Sequence, residues 1–160
     1  MTEVFQRPGA LARAAGVAYL LIIVLALFNE MWVRGTVIVR GDAAATAAKI
    51  VANETFYRAG GAGVLINLAC DVIVAVLLYE LLKPLGRTTS LLAASFRLVM
   101  AAMLGINLLH HFAPLSLLGG AAHLKAFETA QLQAMAYASL RTYTQGFNLA
   151  LGFFGIHCIF

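Results

Sequence analysis

Residues 66–87 read INLACDVIVAVLLYELLKPLGR. An apolar run of this length, closed by a proline-glycine turn with a cation on either side, has the form of a membrane-spanning helix ending at a bilayer edge. It also carries an aspartate, Asp71, near its middle. A carboxylate at the bilayer centre costs about 2.5–3.5 kcal/mol on the insertion scale, and hydrocarbon offers it no hydrogen bond. Asp71 is therefore either protonated or turned inward, toward a partner or water inside a helical bundle.

The rest of the chain supports a lipid solvent. Of its 160 residues, 62% are hydrophobic and 11% charged, and the mean hydropathy is +0.88. Soluble domains run at roughly 45–50% apolar and about 25% charged, so this chain has too little polar surface to face water. The formal charge of +4 does not indicate nucleic acid, because the basic residues are scattered and not interleaved with aromatics. They read as membrane-edge cations facing anionic headgroups. Cys70 and Cys158 lie in apolar runs and read as packing residues.

Four spans are expected, at about residues 10–29, 57–82, 89–113 and 140–160, forming a single all-α domain. The first contains AAGVAYLLIIVLALF (14–28) after Arg7 and Arg13; no small-residue cleavage site follows, so an uncleaved helix is expected rather than a secretory signal. A polar excursion comes next, in which Asp42 is placed to N-cap a short helix from about Ala43 to Asn53. Pro84 and Gly86 turn the chain between the second and third spans. Pro114 and the Gly119-Gly120 pair mark the end of the third. FETAQLQAMAYASLRTYTQ (127–145) reads as a helix that merges into the last span, GFNLALGFFGIHCIF (146–160). That span is short and has no basic anchor after it, so the chain is expected to be a C-terminally truncated version of a longer protein.

An even number of spans separates the N-terminal arginines from the KPLGR turn, and the positive-inside rule makes their shared side cytoplasmic. Arg34, Arg40, Lys49 and Arg58 fall on the opposite side and weigh against this orientation by raw count.

A partner for Asp71 can be sought by depth. At 1.5 Å per residue, Asp71 lies about 18 Å from Lys83, and Arg97 lies about 15 Å from Arg87 on the neighbouring span. The tight turn makes these spans antiparallel neighbours, so an Asp71–Arg97 pair is geometrically natural. Counted from the other side, His157 lies about 18 Å beyond Gln145 and Asp71 about 20 Å beyond Arg58, which puts His157 in the same layer. Asn67 is one turn from Asp71 on the same face. Ser95 and Asn148 are further polar candidates, and Glu80 sits nearer the turn. Such a cluster is either a structural network holding the spans together or a site that handles a proton or a polar substrate.

Asn29, Glu30 and Arg34 form a second group at the far end of span one, with Arg58 beside them as a further outer-mouth or interface candidate. Glu30 and Arg34 have i,i+4 spacing if the helix persists, and Trp32 suits an interfacial belt. His110-His111 does not read as a metal or haem site, because adjacent helical residues point about 100° apart; the pair is expected at the interface, about 36 Å up from Arg87 for His111. No nucleotide-binding glycine loop and no paired-cysteine or HExxH metal spacing is present, so no cofactor and no metal are expected. GGAG (60–63) is a small-residue patch for close helix packing, and faces of this kind could also serve a homo-oligomer.

FNEMWVRGTVIVRGDAAATAAKI (28–50), CDVIVAVLLYELLKPLGR (70–87), LLAASFRLVMAAMLGINLL (91–109) and GFFGIHC (152–158) together resemble a bacterial multi-pass membrane family, domain of unknown function 4386. The resemblance covers most of the chain with its motifs in order. It implies an all-helical integral protein of the bacterial inner (cytoplasmic) membrane with no established activity. It also implies continuation past the HC segment into further spans. Arg40 stands where the family leads one to expect proline, and Gly86 where it leads one to expect asparagine. Glu30, Arg34, Asp42, Arg58, Asp71, Arg97 and His157 fall on the family's polar positions, with no role to carry over.

These readings favour a non-enzymatic integral membrane protein of transporter-like or membrane-organising type, whose Asp71–Arg97–His157 cluster binds a polar group or a proton. The alternative is an intramembrane metal-dependent hydrolase using Asp71, Ser95 and His157, although zinc wants at least three protein ligands. A third reading is a structural partner subunit.

Overall fold

The computed structural model describes residues 8–160; Arg7, one of the two cations expected to precede the first span, lies outside them. Five helices carry the chain: α1 (Pro8–Val37), α2 (Ala43–Ala52), α3 (Glu54–Leu82), α4 (Arg87–Leu118) and α5 (Thr129–His157). A single 3₁₀ turn, Ala122–Leu124, lies between α4 and α5. α1, α3 and α4 are each long and apolar enough to cross a membrane. α5 matches α3 in length and carries a more polar first half, TAQLQAMAYASLRTYTQ.

Local chemistry sets the helix ends. The Asp42 side chain accepts from the Ala45 amide at 2.8 Å and starts α2, which is the cap the sequence leads one to expect. Glu128 and Gln131 close a reciprocal capping box at the start of α5. The polar excursion proves largely helical. α1 does not stop near residue 29 but continues to Val37 through a π-helical stretch, Phe28–Arg34. Pro114 lacks the N–H that an α-helix needs there, yet α4 runs through it to Leu118.

Surface and interior are inverted relative to a water-soluble bundle. Large apolar side chains cover the outside, among them Leu20 (64% exposed), Ile106 (69%) and Leu149 (62%). The interior holds Asn29, Arg34, Asp71, Arg97, Asn107, His111 and His157. In water such a surface would be a severe aggregation liability. In lipid it costs nothing, while every polar group must find an internal partner. The protein is thus built for a membrane.

α1 packs on α3, α3 on α4, and α4 most extensively on α5, whereas α1 and α5 meet through side chains, such as Arg34 with Thr144, rather than by close backbone packing among the described residues. The four long helices curl around a central space lined by all of them. α2 folds back across one end and packs on α5 and α4. There Val33, Val37, Ile50, Tyr57 and Leu140 make a dry apolar core. Two glycines of the GGAG patch allow close approaches. A Cβ on Gly60 would lie 2.7 Å from Val33 Cγ1 and 2.9 Å from Asn29 Oδ1, and one on Gly61 would collide with the Phe112 ring. The GGAG patch is thus occupied by α1 and α4 within the chain.

Candidate functional site

Arg97 organises the inner layer. Its Nη2 donates to Asp71 Oδ1 at 2.6 Å, with the two side chains 1% and 6% exposed. Its Nη1 donates to the Tyr19 hydroxyl and lies 3.3 Å from His157 Nε2. The guanidinium carbon sits 4.5 Å from the centre of the Tyr19 ring and 5.7 Å from that of Phe154. Four helices thus meet at one cation: α1 through Tyr19, α3 through Asp71, α4 through Arg97 itself and α5 through His157.

The hydrogen bonds fix the histidine tautomer. His157 Nδ1 lies 2.8 Å from the Ala93 carbonyl oxygen, which can only accept, so Nδ1 carries the proton. Nε2 then presents its lone pair to the guanidinium. A ring protonated on both nitrogens would set N–H against N–H at this contact. His157 therefore serves the cation as a neutral acceptor while Asp71 supplies the countercharge.

A second polar layer forms where α1 becomes π-helical. Arg34 is buried, bonds to Glu30 (Nε to Oε1, 3.1 Å) and donates from Nη2 to the Thr144 hydroxyl of α5 at 2.8 Å. Its guanidinium carbon lies 4.6 Å from the Tyr143 ring centre. Nearby, Tyr57 and His111 exchange bonds reciprocally. The tyrosine hydroxyl donates to the His111 carbonyl at 2.6 Å, and His111 Nε2 donates to the Tyr57 carbonyl at 3.2 Å. Their rings stack at 4.3 Å. Asn107 Nδ2 donates to the Tyr143 carbonyl at 2.8 Å and clamps α4 to α5.

A cavity of about 290 Å³ joins the two layers. Asn29 and Glu30 line it at one end, Asp71 and Arg97 at the other, and Asn67 lies between; the remaining walls are apolar and aromatic. The side-chain oxygens of Asn29 and Asn67 are buried and have no hydrogen-bond partner among the described residues. Buried amide oxygens are usually paired, and both of these residues line the same space.

The structure brings Asp71, Arg97 and His157 into one contact network, with Asn67 on the adjoining cavity wall. It does not bring Ser95 there: that residue is exposed and its hydroxyl donates to the Leu91 carbonyl of its own helix at 2.8 Å. Asn148 is exposed on α5, and Glu80 pairs with Lys83 beside the turn. Glu30 and Arg34 do pair, but Arg34 is a buried tie to α5 rather than a simple interfacial anchor. Arg58 stays apart, on the surface, paired with Glu54 at 2.8 Å. His111 is fully buried within the chain, packed against Tyr57, Phe112 and Tyr143. Tyr19, Tyr57, Tyr143 and Thr144 were not singled out by sequence reasoning. The available signal was the amphipathic character of tyrosine, whose hydroxyl seeks a partner when its ring is buried.

The Asp–Ser–His set needed by a hydrolase is therefore not assembled. Among the described residues, no three His, Cys, Asp or Glu side chains converge as a metal-ligand group. No curated protein and no solved structure matches the chain. The polar layers, the cavity between them and most of the helical frame nevertheless fall within residues 14–160, the stretch matched by the family described as Domain of unknown function (DUF4386), and the chain belongs to that family.

Proposed function

We propose that this protein is a non-enzymatic, transporter-like membrane protein that binds a small amphipathic molecule in the cavity between its two polar layers. The observation that carries this reading is that Asn29 and Asn67, whose buried side-chain oxygens have no partner among the described residues, line one space of about 290 Å³ together with a buried ion pair. Binding pockets for small molecules begin near this volume and combine apolar walls with a few placed polar groups. The guest's polar head would meet Asn67 and the Asp71–Arg97 pair, and its apolar body would lie against Leu68, Met100 and Phe147. A lateral path from the acyl region would run between α1 and α5, which meet through side chains rather than by close backbone packing.

The same reading places α5 across the membrane with α1, α3 and α4, in a single domain of the bacterial inner membrane with the N-terminus cytoplasmic. Self-association through residues 60–63 would compete with the intrachain packing of Gly60 and Gly61, so an oligomer would have to use another face.

The test is extraction of bound small molecules from the full chain purified in mild detergent. Organic extracts of wild type are compared by mass spectrometry with Asn67→Leu and Ala26→Trp, the second of which adds bulk to the cavity wall. An amphiphile present in wild type and depleted in both folded variants supports the proposal. Identical extracts from all three proteins refute it. Cysteine accessibility from outside intact cells, at residues 88 and 123 in separate variants, reads the orientation.

A further inference from the structure

A second cavity, separate from the one above, opens at the end of the bundle that carries α2. Its volume is about 790 Å³, and its walls include Glu30, Arg34, Arg40, Tyr137, Arg141 and Thr144. Three arginines thus line this space against one carboxylate, and that carboxylate is already paired with Arg34.

Two features show that the arrangement is built. First, Arg34 is 7% exposed and its Nη1 has no hydrogen-bond partner among the described residues. A guanidinium carries five N–H donors in a planar fork and cannot shed its charge. Glu30 and Thr144 occupy Nε and Nη2, which leaves Nη1 unmatched in a side chain whose residue lines the cavity. Second, the loop that carries Arg40 is pinned over the cavity. Gly41 adopts the left-handed conformation, φ +80°, which glycine takes without strain, and its N–H donates to the Tyr137 hydroxyl of α5 at 2.8 Å. The turn thus fixes the backbone next to Arg40, in the wall that Arg34 and Arg141 also line.

We infer that this cavity is a binding site for a phosphate-bearing anion. A tetrahedral oxyanion has the acceptors to complete the Arg34 fork and to bridge it to Arg40 and Arg141, and guanidinium groups recognise phosphate by two parallel bonds. The inference rests on groups other than the Asp71–Arg97 pair and stands whether or not the inner cavity holds an amphiphile. The phosphate can belong to a soluble anion or to a lipid headgroup; exposed Trp32 at this level of α1 is compatible with either.

The experiment uses the full chain in an uncharged detergent. Thermal unfolding is followed while inorganic phosphate is added in one arm and short-chain phosphatidic acid in another, each against matched chloride ionic strength. The variants Arg40→Gln and Arg141→Gln remove exposed cations and leave buried Arg34 in place, and Arg87→Gln, beside the turn at the opposite end, is the control. The expected result is stabilisation of wild type and Arg87→Gln by at least one probe. The concentration needed should rise about tenfold or more in Arg40→Gln and Arg141→Gln. A response to inorganic phosphate identifies a soluble anion, and a response to phosphatidic acid alone identifies a lipid headgroup. No stabilisation by either probe, or equal stabilisation of all four proteins, overturns the assignment.

Discussion

Replacing Asp71 by asparagine removes the countercharge of a guanidinium that is 1% exposed. Breaking a buried pair by deleting one partner costs about 3–5 kcal/mol, because the remaining charge is left uncompensated. Tyr19 and His157 would still accept hydrogen bonds from Arg97, but both are neutral, so the full range applies. Arg97→Gln is expected to be milder in its electrostatics: an orphaned carboxyl group can take up a proton and stay buried without charge, whereas a guanidinium cannot lose one. Its own cost comes from the lost contacts with Tyr19, His157 and the Phe154 ring. The double variant Asp71→Asn/Arg97→Gln leaves no charge in the layer, and two amides can bond across the same gap. It should therefore be more stable than Asp71→Asn alone by about 2 kcal/mol. Reversible unfolding of all four proteins in mixed micelles of fixed composition measures the cycle. Strictly additive losses, with the double variant the least stable of the set, would show that the 2.6 Å contact is not an energetically coupled ion pair.

Other sites make narrower predictions. Gly60→Ala places a Cβ 2.7 Å from Val33 Cγ1, and the overpacking should cost about 1–3 kcal/mol in the same unfolding assay. Tyr57→Phe removes the hydroxyl that bonds to His111 at 2.6 Å and should cost about 1 kcal/mol. Arg34→Gln, which cuts a buried tie between α1 and α5, should cost about 2–3 kcal/mol. Arg58→Gln, on an exposed pair, should stay within about 0.5 kcal/mol of wild type. Equal effects of the last two substitutions would contradict the placement of Arg34.

The inner layer was legible because depth could be counted from a shared origin. The KPLGR turn starts two regular helices at the same level, so a constant rise per residue brings Asp71 and Arg97 together before any coordinates are known. The outer layer lacks that regularity. Residues five apart on an α-helix differ by about 140° in direction, so Asn29 and Arg34 would not be expected on one face. The π-helical winding of Phe28–Arg34, with its i→i+5 bonds, brings both inward along with Val33. No periodicity analysis that assumes α geometry recovers this. The burial of His111 was not legible for a different reason: its height along α4 could be counted, but height says nothing of which side chains enclose it, here Tyr57, Phe112 and Tyr143.

Residue type explains why some polar side chains in the apolar runs were informative and others were not. Ser95 and Thr142 each donate to the carbonyl four residues earlier on their own helix. A hydroxyl that satisfies itself in this way can face lipid at small cost, so its presence in a span says nothing about direction. Asp71, Arg97 and His157 are too polar, and in two cases charged, to be satisfied by their own helix. They must reach across to another one, and each does. Asn107 obeys the same constraint through the Tyr143 carbonyl. Asn29 and Asn67 do not: their buried side-chain oxygens have no partner among the described residues, and both residues line the inner cavity. In lipid a buried oxygen without a partner is costly, and two of them on residues that line one space support the proposal that the inner cavity holds a guest more directly than its volume does.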